Sequence, residues 1–448
     1  MQVTETAAAG LKREFRVVVA ATDLEARVNE RLDDLKGRVQ LRGFRPGKVP
    51  VAHLKRLYGK SAMAEVIEAA VREANSKIVS DLKPGEKLAI EPKVVLPEEQ
   101  SAVDNIISGK ADLDYTVEIE VVPPITLADF KTLKLTRLTA EVADAEIDDV
   151  LQKLGEHSRS FLAKSDGAQK GDQVTISYSG TIDGKPFEGG AAEDVPILIG
   201  SGTFIPGFED RLIGIKTGEG RTFDITFPEN YAAALAGKQA SFAVTAKAVE
   251  APAPAPIIDD EFAKARGFES LAKLREAVRA QIQREHGAAS RQKLKRALFD
   301  QLDERHKFEP PPSLVEQEFT NVWGSVEKDL KEQGRTFADE GTTEEKARAE
   351  YRGIAERRVR LGLVIAEIGE KNNIKVSDEQ LTAAIVEQAR QLPGQEQRVW
   401  DYYRKNPGAL ATLRAPLFED KVVDFLVELA EVTEKPVSRD ELFKEDEG

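Results

Sequence analysis

The chain is 448 residues long, room for about two to four domains each with its own core, and its 64 basic and 78 acidic side chains leave a net charge of −14. It has no Cys and four His, which excludes disulfides, thiolate catalysis, thiolate zinc and iron–sulfur sites, while His53, His157, His286 and His306 are too dispersed to read as a metal cluster or a triad. No basic segment followed by an apolar core opens it, and no apolar run approaches the ~18 residues of a membrane span, so the expectation is a soluble, cytoplasmic protein with no membrane partner, metal or cofactor.

Charge is unevenly spread. Residues 1–115 hold 19 Lys and Arg against 18 Asp and Glu, while 116–448 hold 45 against 60, so the two parts face different partners. Residues 11–20 alternate and then run apolar like a strand, and Thr22 with Glu25 forms a capping-box pattern that opens a helix to about Lys36. Residues 61–82 repeat Ala64, Ile67, Val71 and Ile78 on one helical side, and strand-like runs at 87–96 and 112–122 close an α+β unit.

Between Lys36 and Lys60 lie eight basic residues and no acid. At the centre of this island, Gly43, Phe44, Arg45, Pro46, Gly47, Lys48, Val49 and Pro50 forbid a continuing helix and present Phe44 on an exposed turn. Screening confines charge interactions to ~8 Å at physiological salt, so such a cluster can bind phosphate despite distant acids. A solvated basic face on a helix–loop–helix would carry the same charges; the exposed Phe44 favours docking. This octapeptide, followed by Leu57-Tyr58-Gly59, resembles the ribosome-docking signature of the bacterial trigger factor family. The resemblance implies that Gly43 to Lys48 meets ribosomal RNA and a protein of the large subunit beside the exit tunnel, with Phe44, Arg45 and Lys48 as contacts. Pro46 stands where some relatives carry another basic residue.

Pro123-Pro124 breaks regular structure, and 125–165 mixes a strand-like piece with a helix carrying Ile147, Val150, Leu151 and Leu154. From 171 to 250 short β-like runs alternate with Gly-rich turns, among them Asp183-Gly184 between apolar flanks, a hairpin signal. No nucleophile elbow, phosphate loop or metal-ligand spacing occurs there. What remains is an apolar pocket of Tyr178, Phe187, Ile205, Phe208, Tyr231 and Phe242 if the strands curl together, or simply a core. The lines Gly171-Asp172, Tyr178, Gly180, Asp183-Gly184, Phe187, Gly189-Gly190, Ile205-Pro206-Gly207-Phe208-Glu209 and Phe227-Pro228-Glu229-Asn230-Tyr231 resemble the FKBP-type prolyl isomerases. The resemblance implies a prolyl pocket lined by Tyr178, Phe187, Glu188, Ile205, Phe208, Tyr231 and Phe242. Phe208 stands where many FKBP relatives place Trp, and Glu188 where many place Asp.

The segment 251–256, APAPAP, reads as a stiff extended spacer. Beyond it the pattern is helical, with Leu271, Leu274, Val278 and Ile282 at helix spacing, as are Val422, Phe425, Leu426 and Leu429. Ser313 with Glu316 and Ser377 with Gln380 have the form of N-terminal caps, and Pro310-Pro311-Pro312 separates two helices. Phe319, Val322, Trp323 and Val326, then Trp400, Tyr402 and Tyr403, fall outside any single stripe; most are expected inside a bundle and some exposed.

The expectation is a multidomain α+β chain: an N-terminal α+β ribosome-binding domain at 1–115, a connecting arm at 116–165, a central FKBP-like β domain at 166–250 and an all-helical chaperone domain at 251–448. The family resemblance implies a ribosome-associated chaperone that holds nascent unfolded polypeptides without ATP and isomerises prolyl bonds. A non-catalytic peptide-binding chaperone and a free cytosolic isomerase without ribosome docking stand as rivals, and a homodimer off the ribosome is left open.

Overall fold

The computed structural model of the chain describes residues 1–38, 44, 49–83, 85–97, 99–228 and 235–444. An N-terminal hairpin joins Gln2–Ala9 (β1) to Lys12–Val19 (β2) across Gly10, whose φ of +61° suits glycine. Sequence predicts only the second strand, because β1 is rich in Thr, Glu and Ala and has no apolar face of its own. Helix α1 (Ala21–Arg38) starts before the predicted capping box, so Thr22 lies inside its first turn; the amide of Ala21 donates instead to Asp112 Oδ1 at 2.8 Å. Helix α2 (Val51–Ser80) begins after Pro50 rather than at 61. It buries Ala62, Val66, Ala70, Ala74 and Ile78 at a spacing of four, leaving Ala64 exposed and Ile67 and Val71 half-buried.

The predicted strand at 87–96 shrinks to Lys93–Val95 (β3) and a single bridge between Leu88 and Val121. An unpredicted helix, Gln100–Ile107 (α3), precedes Leu113–Glu120 (β4). The antiparallel sheet runs β1-β2-β4-β3. Leu113, Tyr115, Val117 and Ile119 alternate inward from β4 and pack with Val17 and Val19 against Leu24, Leu32 and Leu54 of the two long helices.

Next come Lys134–Thr139 (β5), Asp144–His157 (α4) and Phe161–Ala163 (β6). Ile147 and Leu151 of α4 are buried with Leu274, Val278 and Ile282, while Val150 faces out. Gln173–Ile182 (β7) and Lys185–Leu198 (β8) form the predicted hairpin, and Asp183 and Gly184 both take positive φ, +50° and +75°. Phe208–Arg211 (α5), Gly220–Thr226 (β9) and Gln239–Pro252 (β10) complete a sheet ordered β6-β10-β7-β8, with β9 also on β10. The predicted spacer therefore begins as strand: Pro252 lies opposite Phe161, and the Ala253 amide donates to Ser160 at 2.8 Å.

Helices follow: Asp260–Lys264 (α6), Leu271–Arg305 (α7), Pro312–Gln333 (α8), Glu344–Lys371 (α9), Asp378–Arg390 (α10), Glu396–Lys405 (α11) and Pro407–Leu429 (α12). The Ser377–Gln380 capping box forms as predicted. Ser313 instead sits in the first turn of α8, and its amide donates to the buried Glu120 at 3.0 Å. After α12 the chain adds Glu431–Pro436 (β11), paired in parallel with β5, and Arg439–Phe443 (α13); helical periodicity announces neither.

By contact the chain forms two compact units. One holds Met1–Lys131, Phe299–Ser325 and Glu344–Leu429, the other Thr132–Leu298, Val326–Thr343 and Ala430–Gly448. Among the described residues no helix is long and apolar enough to cross a membrane.

Candidate active site and candidate docking surface

The β7–β8 hairpin, the loop before α5, α5 itself and β10 enclose a cavity of about 320 Å³, at the small end of ligand pockets. Six of the seven predicted residues line it: Tyr178, Phe187, Glu188, Ile205, Phe208 and Phe242. Tyr231 lies outside the described residues. Phe204, Phe227 and Leu235 also line it, although sequence reasoning did not select them. Phe227 sits in a quoted motif, but periodicity does not say to which side of the sheet the end of β9 turns its ring.

Phe208, 1% exposed, is the hub of the aromatic wall. Its ring centroid lies 5.3 Å from those of Phe204, Phe223 and Phe242 and 6.2 Å from that of Tyr178, and all but the Phe204 contact are edge-to-face. Phe187 meets Phe227 and Phe242 edge-on at 5.8 and 6.2 Å, closing the opposite side. Glu188 is exposed.

The wall is close-packed because Gly180 lacks a side chain. A Cβ there would stand 2.6 Å from Phe242 Cε1 and 3.1 Å from the Gly190 carbonyl oxygen. Gly180→Ala must therefore displace the Phe242 ring, which lines the cavity. The expected result is a several-fold rise in KM for a prolyl peptide and a stability loss of about 1–3 kcal/mol, checked by steady-state kinetics beside thermal unfolding.

A group that sequence reasoning missed fixes the rim. Glu209 is 7% exposed, and its two carboxylate oxygens accept the amides of Gly200 (2.7 Å), Gly202 (3.1 Å), Thr203 (2.9 Å) and Phe204 (3.2 Å) and the Ser201 hydroxyl (3.0 Å). Burial alone would raise its pKa. The amides of Gly202 and Phe204, the Ser201 hydroxyl and the amide of Gly200 outweigh burial and hold it below the ordinary value. The readable sign was the glycine spacing: Gly200, Gly202 and Gly207 all have positive φ, the geometry of a loop folded back on its own amides. Phe208 and Glu209 are adjacent on one short turn, so the floor of the cavity and the loop carrying Phe204, Ile205 and Pro206 are set by one element.

Such a cavity suits rotation about a prolyl amide. The barrier of ~20 kcal/mol arises from lost amide resonance, and no bond is made or broken. Aromatic walls can seat the ring and strip water from the carbonyl, removing hydrogen bonds that favour the planar amide.

At the predicted docking tip the described residues include Phe44, 37% exposed, with its ring 5.2 Å from that of His53. Gly43, Arg45, Pro46, Gly47 and Lys48 lie outside the described residues. In the helical part Phe319 and Trp323 are buried, stacked on each other and overlaid by Arg352 and Arg348. Tyr402 is 56% exposed, while Trp400 and Tyr403 border a cavity of about 620 Å³ with Ile385 and Leu410.

Three sequence-family models match. "Bacterial trigger factor protein (TF)" covers residues 1–154, "FKBP-type peptidyl-prolyl cis-trans isomerase" covers 164–249, and "Bacterial trigger factor protein (TF) C-terminus" covers 270–428. Curated proteins named trigger factor from Azorhizobium caulinodans, Xanthobacter autotrophicus and Afipia carboxidovorans are 60%, 59% and 57% identical, each match covering 100% of this chain and 99% of the relative. A solved structure of the trigger factor chaperone aligns with a TM-score of 0.52 at 19% identity, over 96% of this chain and 99% of the other, a likeness of fold.

Proposed function

This chain belongs to the bacterial trigger factor family and carries an FKBP-type peptidyl-prolyl isomerase domain, and from that premise we propose that it works in the cytoplasm, docked on the large ribosomal subunit beside the exit tunnel, where it holds nascent chains and turns their prolyl bonds. The proposed parts are docking at 1–115, an arm at 116–165, isomerisation at 166–250 and client holding at 251–448. Tyr178, Phe187, Glu188, Ile205, Phe208, Tyr231 and Phe242 are the proposed prolyl-pocket residues.

The observation that carries docking is the exposed Phe44 inside a stretch of eight cations and no acid, in a chain of net charge −14. Clients are held by many weak apolar contacts, since tight ones would trap them. The exposed Tyr402, Leu392 and Ile354 support that part of the reading.

Co-sedimentation with ribosomes tests it. A Phe44→Ala, Arg45→Ala, Lys48→Ala protein is expected to lose at least about tenfold in affinity, roughly 1.4 kcal/mol. Equal pelleting of parent and variant would leave a free isomerase without docking.

A further inference from the structure

The exposed side of α2 carries a row of side chains next to Phe44. At ~100° per residue, His53, Arg56, Leu57 and Lys60 fall within one arc of about 100°, facing away from the buried Leu54 and Ala62. Leu57 is 52% exposed, and the Phe44 ring packs 5.2 Å from that of His53, so Phe44 and the row are contiguous.

Neighbouring cations of the two helices are neutralised. Lys55 reaches Glu25 at 2.5 Å, Arg27 reaches Glu73 at 2.7 Å, Arg31 reaches Glu65 at 2.8 Å and Arg72 reaches Glu68 at 2.6 Å. Among the described residues Arg56 and Lys60 have no carboxylate partner. The first turn of α2 carries no acid either, so the positive end of its dipole adds to their field.

We infer that Arg56, Leu57 and Lys60 form a second docking row that meets the phosphate backbone of ribosomal RNA beside the tip. The inference rests on the docking reading proposed above. Arg56 and Lys60 are one turn apart, about 6 Å along the axis, comparable to the separation of successive phosphates on one strand. Leu57 lies at the edge of the arc opposite Arg56 and adds an exposed apolar contact to the row.

The test is the affinity of the full-length protein for purified vacant ribosomes over a series of salt concentrations. Arg56→Gln with Lys60→Gln is expected to weaken binding about tenfold at low salt and to flatten the plot of log affinity against log salt by roughly 1.5, somewhat under one per phosphate contact. Arg72→Gln with Lys77→Gln removes equal charge further along the same helix and should leave the slope alone. The inference is overturned if the row variant binds like the parent, if the control flattens the plot equally, or if affinity falls with an unchanged slope, which would mark a protein contact. Phe44→Ala is run in parallel. A loss with it beside an intact row variant removes the row and keeps the docking reading, whereas no loss in either removes both.

Discussion

Phe208→Ala is expected to lower kcat/KM for a prolyl peptide about a hundredfold, some 2.7 kcal/mol of barrier. Phe208 is the floor of the cavity, and its removal takes away four ring contacts at once. The same truncation leaves a hole in a buried cluster, at about 3–5 kcal/mol. Activity must therefore be separated from unfolding. Phe223 touches the Phe208 ring, packs against the same core and is not among the cavity-lining residues, so Phe223→Leu serves as the control. It should cost stability with little change in kcat/KM. If the two variants lose activity in proportion to stability, or if Phe208→Ala turns over normally, the ring is core and the seat of the prolyl group lies elsewhere.

This contrast bears on mechanism. Each tenfold in rate requires only ~1.4 kcal/mol of preference for the twisted amide over the planar one. A cavity wall that is rigid because its rings interlock can supply that preference by shape and desolvation, without a proton donor or acceptor. Glu188, the one acid among the described lining residues, is exposed at the rim, which accords with an apolar seat below it.

What the sequence discloses is local, and what it hides is long-range. Asp183-Gly184 is readable because the turn needs two residues at positive φ and these tolerate it. The Ser377–Gln380 box is readable because all its atoms lie within one turn. Ser313 and Thr22 have the same signature and fail as caps, because their helices start earlier and their first turns are satisfied from afar, by Glu120 and Asp112. The β5–β11 pair escapes for a related reason: its two strands are separated by most of the chain, and neither alternates strongly enough to be seen alone. In the cavity the aromatic residues are legible by family resemblance, whereas Glu209 looks like one more surface acid until its amide partners are seen. In the helical part, Phe319 and Trp323 have the spacing of candidate client contacts, yet arginine planes cover them.

Glu209→Gln is the substitution that tests whether the rim is held by charge. Glu209 Oε1 accepts from Ser201, Thr203 and Phe204, and Oε2 from Gly200 and Gly202. A glutamine of the same shape replaces one oxygen by an NH2 group, so in either orientation at least two donors face a donor. The expected cost is about 2–4 kcal/mol, as several charge-assisted bonds weaken and buried amides lose their acceptor. It should be read as faster amide exchange across residues 199–209 of the full-length protein, with kcat/KM reduced about tenfold because Phe204, Ile205 and Pro206 lose their support. The pH dependence gives a second, independent reading. Because the folded carboxylate titrates below the ordinary glutamate value of 4.5, the unfolded chain takes up the proton first as pH falls. The stabilisation is therefore complete above about that value and is lost as pH drops through the lower folded one. The gap in protection between parent and Glu209→Gln should be constant from pH 6 to 8 and should close below about pH 4.5. A gap that persists unchanged into acid would mean that the carboxylate's charge does not hold the loop, and that shape alone orders the rim.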